Sequence, residues 1–121
     1  MPARSLNSSV LKWPNADAID RAARSWTAEQ VKKRPDIIAI GYFGSYARGD
    51  WGVGSDLDLI AVVKETSEPF ERRAIEWDLR SLPVPAEILV YSLPEWEKLS
   101  SQGGRFSRVL NTEVIWTYNT I

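Results

Sequence analysis

Two periods of apolar and polar residues run along this chain, and where they switch marks its elements. Ile19, Ala22, Ala23 and Trp26 recur at the three-to-four spacing of a helix face. Asn15 stands where an N-cap belongs, and Lys32, Lys33 and Arg34 suit the negative end of a helix dipole. The spacing predicts a helix from Ala16 to Lys33, ended by Pro35. Asp36 to Phe43 (DIIAIGYF) is rich in β-branched and aromatic residues and reads as a buried strand. A glycine-rich stretch from Gly44 to Gly54 follows. Asp56 to Val63 (DLDLIAVV) then reads as a second strand, polar at its start and apolar beyond.

Ser67, Glu68 and Pro69 are helix-start signals, and the pattern predicts a helix running to about Arg80. Ile75, Leu79 and Leu82 line one side of it, beside Phe70, Ala74 and Trp77. Pro83 and Pro85 break it before a third strand, Ala86 to Ser92. Pro94 opens a short helix, Gly103-Gly104 interrupts it, and Val114 to Tyr118 reads as the last strand. Strands separated by helix-length connections predict a two-layer α+β domain, a mixed sheet with helices in the order helix-strand-helix-strand-helix-strand. Residues 1–14 are expected to form a flexible N-terminal segment, with the domain spanning residues 15–121.

Composition narrows the chemistry. At 121 residues, 44% hydrophobic and 26% charged, the chain suits one globular domain. It contains no cysteine and no histidine. Disulfides, thiolate metal sites, cysteine nucleophiles and the Ser-His-Asp triad are therefore excluded. Chemistry here must run on carboxylates, hydroxyls, cations and borrowed metal. The net charge of −1 gives no global positive field to recruit nucleic acid or anionic lipid. The N-terminus lacks the apolar core of a secretory signal, no apolar run reaches membrane-spanning length, and a cytoplasmic location is expected.

The informative segment is GSYARGDWGVGSDLD, Gly44 to Asp58. Residues two apart in a strand share a face, so Asp56 and Asp58 project together from the polar end of the second strand. Two carboxylates about 6 Å apart repel by roughly 2–3 kcal/mol at an effective dielectric near 20, a cost that an intervening cation removes. Oxygen-only ligands favour a hard ion, Mg²⁺ or Mn²⁺. Upstream, Gly44-Ser45 turns the chain into a short helical turn where glycine lets backbone approach a phosphate and the Ser45 hydroxyl adds a donor. Arg48, one turn later, can neutralise a second phosphate. Taken singly, an Asp-x-Asp pair is more often a solvated rim, Gly-Ser a turn, and Arg48 a partner for Asp50. Jointly, Gly-Ser-x10-Asp-x-Asp arises by chance in roughly one chain of several hundred at this length.

This segment resembles the signature of the nucleotidyltransferase superfamily that includes DNA polymerase β and the kanamycin nucleotidyltransferases. Within it the chain is most similar to the minimal nucleotidyltransferases, many of them antitoxins encoded beside a HEPN-domain toxin. The resemblance implies a third acid on the neighbouring strand, where Glu87 stands in place of the usual aspartate. One extra methylene carries its carboxylate about 1.5 Å further. It implies Gly44, Ser45, Arg48 and Ser55 as nucleotide-binding residues. It also implies Asp56, Asp58 and Glu87 as catalytic residues holding two Mg²⁺ ions. The implied reaction is attack of an acceptor hydroxyl on the α-phosphate of ATP or another nucleoside triphosphate, with pyrophosphate leaving. Larger relatives carry a second, helical domain, so part of the site is expected from a HEPN-domain partner, whose tyrosine would receive AMP, or from a second copy of the chain. Trp51 is a candidate contact for partner or base, weighed evenly against folding onto its own core. Arg105 and Arg108 are read as solvated before they are read as partner contacts.

A rival class is a catalytically weak nucleotide-binding scaffold that masks its partner. An RNA-binding module is disfavoured by the acidic balance, although Gly41-x-x-Gly44 and Gly49-x-x-Gly52 superficially fit a GXXG clamp. A P-loop fails because no Gly-Lys-Ser/Thr follows the glycines, and no dinucleotide fingerprint is present.

Overall fold

Helix α1, Ala16–Lys33, begins where Asn15 caps it, the Asn15 side chain accepting the Ala18 N–H at 2.9 Å. It buries Ile19, Ala23 and Trp26 as their spacing implies, together with Thr27 and Gln30. The buried face is thus rotated away from Ala22 towards Thr27, whose hydroxyl reaches the Ala23 carbonyl at 2.7 Å and the Thr117 hydroxyl at 2.7 Å. The computed structural model describes residues 13–121. Most of the proposed N-terminal segment, residues 1–12, lies outside the described residues. Trp13 packs on the core and donates its indole N–H to the Tyr46 hydroxyl at 2.9 Å.

Four strands follow: β1, Ile37–Phe43; β2, Leu57–Val63; β3, Ala86–Ser92; and β4, Ile115–Asn119. They form one mixed sheet in the order β3-β2-β1-β4, with β1 antiparallel to β2 and β4, and β2 parallel to β3. The turn after β1 carries α2, Ser45–Arg48. After β3 come α4, Leu93–Ser101, and α5, Arg105–Glu113. The mixed α+β sheet is as expected, but helices cover both of its faces. On one, Ile19, Ala23 and Trp26 of α1 meet Leu57, Leu59, Ala61, Ile88 and Val90. On the other, Trp96 of α4 and Leu110 of α5 meet Ala39, Ile60 and Val62. This double burial explains why the alternation in β2 gives way to a continuous apolar run.

The stretch expected as a helix from Ser67 to Arg80 is two short turns instead: α3, Phe70–Arg73, then a 3-10 turn, Ala74–Glu76. Tertiary contacts override the periodicity. Trp77 turns extended, its ring tilted against Trp26 at 6.0 Å and lying 4.3 Å beneath the Arg34 guanidinium. The Asp78 carbonyl accepts the Trp26 indole N–H at 2.8 Å. A continuous helix would carry Trp77 and Asp78 away from these partners. Ile75, expected on the buried side, is 80% exposed. The residue buried from α3 is Arg73, which donates to the carbonyls of Glu68 and Val90 and to both Glu95 oxygens, at 2.6 and 3.1 Å.

Candidate active site

Strand register assembles the site. Asp58 lies opposite Phe43 of β1 on one side and opposite Glu87 of β3 on the other. Paired residues of neighbouring strands share a face, so Asp58 and Glu87 point to the same side of the sheet. That side is the one covered by α4 and α5, since Leu57 and Leu59 on the opposite parity pack against α1. Asp56 immediately precedes β2, two residues from Asp58, and is exposed. Glu87 is exposed as well, while Asp58 is half-buried.

Gly44 closes β1 onto this row. Its φ of +81° is a conformation that L side chains rarely adopt, and a Cβ there would collide with Asp58 Oδ2. The turn therefore packs its backbone directly against an acidic side chain. Burial pushes the Asp58 carboxyl above the usual carboxylate range, and the charges of Glu87, Asp56 and Glu113 push it the same way, partly offset by Arg48. The acids are thus close enough to repel. Among the described residues, no group of three or more Asp and Glu side chains is gathered as a ready metal cage.

The other residues singled out by the sequence have definite places. Arg48 donates to Asp50 at 3.1 Å, as its simplest reading anticipated, and also to Glu113 at 3.3 Å. The Ser55 hydroxyl accepts the Gly52 N–H at 2.8 Å and so closes the turn leading into Asp56. Trp51 folds back: its ring stacks on buried Tyr46, 5.5 Å between centroids and 13° from parallel. Of its two readings the inward one holds. Arg105 and Arg108 are exposed on α5.

Sequence reasoning missed Glu113. Its carboxylate, carried by the last residue of α5, accepts the Gly44 N–H at 2.7 Å. The signal available was an acid in the final turn of a helix, where the dipole disfavours negative charge.

Acids on two parallel strands thus stand beside a glycine-serine turn. The family model of the nucleotidyltransferase domain matches residues 24–114, and the chain belongs to that family. Nucleotidyltransferase is accordingly its enzyme class. No curated protein matches the chain. Among solved structures it is similar to a Sulfolobus solfataricus protein assigned as a nucleotidyltransferase, with TM-score 0.60 and 20% identity, over 84% of this chain and 80% of that one. It is also similar to a toxin-antitoxin crystal structure with AMP-PNP, with TM-score 0.56 and 17% identity, over 80% and 73% of the two chains. A third is the toxin-antitoxin MntA-HepT, with TM-score 0.51 and 14% identity, over 83% and 73%. At such identities the likeness speaks for the fold.

Proposed function

We propose that this chain transfers AMP from ATP to a hydroxyl of a partner protein, a tyrosine of a HEPN-domain toxin in the cytoplasm, and thereby acts as an antitoxin. The observation that carries this reading is the row in which Asp58 pairs with Glu87 while Gly44 is seated on the Asp58 carboxylate. The partner class is supported by the toxin-antitoxin neighbours, one of them with the ATP analogue AMP-PNP. No described helix is long and apolar enough to cross a membrane.

The donors fit a divalent cation: Asp56, Asp58 and Glu87 offer hard oxygens alone, and the repulsion felt at Asp58 is what a cation relieves. Asp56 and Glu87 are exposed, so their side chains have room to turn towards a shared ion. Two Mg²⁺ ions, or Mn²⁺, would supply charge neutralisation at the triphosphate and a lowered pKa for the attacking hydroxyl. Gly44, lacking a side chain, lets the turn approach the β- and γ-phosphates, the Ser45 hydroxyl donates to them, and Arg48 shares the charge that builds on them. Ser55 contributes by fixing the turn before Asp56. Glu87 completes the site of the attacking hydroxyl and takes its proton as the new oxygen–phosphorus bond forms. The bond from the α-phosphorus to pyrophosphate breaks, and pyrophosphate carries away the negative charge.

The test incubates the purified chain with Mg²⁺, labelled ATP and the product of the neighbouring gene. Label is expected on the partner's tyrosine, and both Asp56→Asn and Asp58→Asn should abolish it with the fold intact. Transfer surviving in both variants would overturn the site. A stable unlabelled complex would instead favour the scaffold reading, to which glutamate at position 87 lends weight.

A further inference from the structure

Glu113 ties the end of α5 to the turn after β1, 69 residues away in sequence. Its side chain is only 13% exposed. One oxygen accepts the Gly44 N–H at 2.7 Å, and the carboxylate also takes the Arg48 guanidinium at 3.3 and 3.4 Å. The location is electrostatically poor twice over. A carboxylate at a helix C-terminus opposes the dipole, and this one adds a further negative charge within reach of Asp58. An acid kept there against both effects is held by its two partners. Those partners are the backbone that touches Asp58 and the cation one turn beyond it.

We propose that Glu113 is a positioning residue: its carboxylate pins the Gly44 amide, sets how closely the β1–α2 turn approaches Asp58, and holds Arg48 beside the phosphate path. What that turn binds rests on the proposed nucleotide chemistry, whereas the pinning itself does not. Gly44 has no side chain with which to anchor itself: its carbonyl accepts the Ala47 and Arg48 N–H groups at 3.0 and 2.9 Å within the turn, while its own N–H goes to Glu113. Glutamine can still accept the Gly44 N–H through its amide oxygen, though it cannot pair with Arg48 as an ion. Alanine can do neither.

The two variants Glu113→Gln and Glu113→Ala separate the roles. In the nucleotide-free chain, Glu113→Ala should speed exchange of the Gly44 amide by about tenfold or more and move the Asp58 amide resonance, while Glu113→Gln largely retains both. Calorimetry with ATP and Mg²⁺ should show affinity weakened about tenfold or more by alanine and substantially rescued by glutamine. Tighter ATP binding in either variant would overturn the proposal, because the carboxylate would then be blocking the phosphate path. So would a lower melting temperature in Glu113→Ala with the Gly44 and Asp58 resonances and ATP affinity unmoved. If the unaltered chain takes no ATP, it is the nucleotide reading that fails, and the Gly44 and Asp58 resonances still decide the role of Glu113.

Discussion

At Gly44 one missing Cβ governs the geometry of the site. Alanine there meets the Asp58 carboxylate and is strained by a glycine-type backbone conformation that costs roughly 1–3 kcal/mol by itself. Gly44→Ala is therefore expected to lower the melting temperature by several degrees and to eliminate transfer, checked by thermal melting beside the labelled-ATP assay. Asp58 has the opposite signature. Its charge is opposed by burial and by three neighbouring acids, so removing it relieves repulsion. In metal-free buffer Asp58→Asn should melt at or above the temperature of the unaltered chain while losing transfer. A residue that weakens the fold it occupies fits the chemical role proposed for Asp58. Trp51 is a packing residue by contrast. Its stack on Tyr46 implies that Trp51→Ala costs about 1–2 kcal/mol in urea unfolding.

Among the elements, the segment between β2 and β3 departs most from its sequence pattern, and Arg73 shows why. Periodicity places apolar residues on the inner face of a helix, but the native chain buries the Arg73 guanidinium against two carbonyls and Glu95 instead. Glu95 also accepts the Ser92 N–H at 2.8 Å within the capping box of α4, so one carboxylate joins two elements. The Arg73 guanidinium and the Ser92 amide hold its carboxyl at about 2, well below its usual 4.5. A depressed folded-state pKa contributes stability that is complete above about pH 4.5 and lost as pH falls towards 2. Glu95→Gln should therefore destabilise the chain by about 1–2 kcal/mol at pH 7, a figure that allows for the half-exposed Glu95. That difference should shrink steadily between pH 4.5 and pH 2.5 in urea titrations. An unchanged difference across that range would mean the pair does not set the acid limb.

For the molecule as a whole, a sheet covered on both faces couples the site to the core. Leu110 is fully buried on α5, one turn before Glu113. Leu110→Ala should cost about 2–5 kcal/mol, seen as a lower urea midpoint at unchanged slope. Because α5 carries Glu113, the same change is expected to weaken ATP binding in the remaining folded protein.

Much of this architecture was legible in the residues alone, for a local reason. The Asn15 cap, the stripe of α1, the strands bounded by Pro35 and Pro85, and the Gly-Ser-x10-Asp-x-Asp spacing all act within one or two turns of chain, where backbone sterics and side-chain period decide the outcome. The placement of Asp58 and Glu87 at the starts of two strands was readable in the same way. Which strands pair, and hence that Asp58 faces Glu87 directly, depends on the burial of every apolar face at once. The same holds for the Trp26–Asp78 bond that cuts short the expected helix, and for Glu113 reaching Gly44. Local signals in the sequence therefore determined the elements and the acids they carry, except between β2 and β3. Tertiary structure alone decided their register, the second covered face and the Glu113 contact, because those energies exist only between segments far apart in the chain.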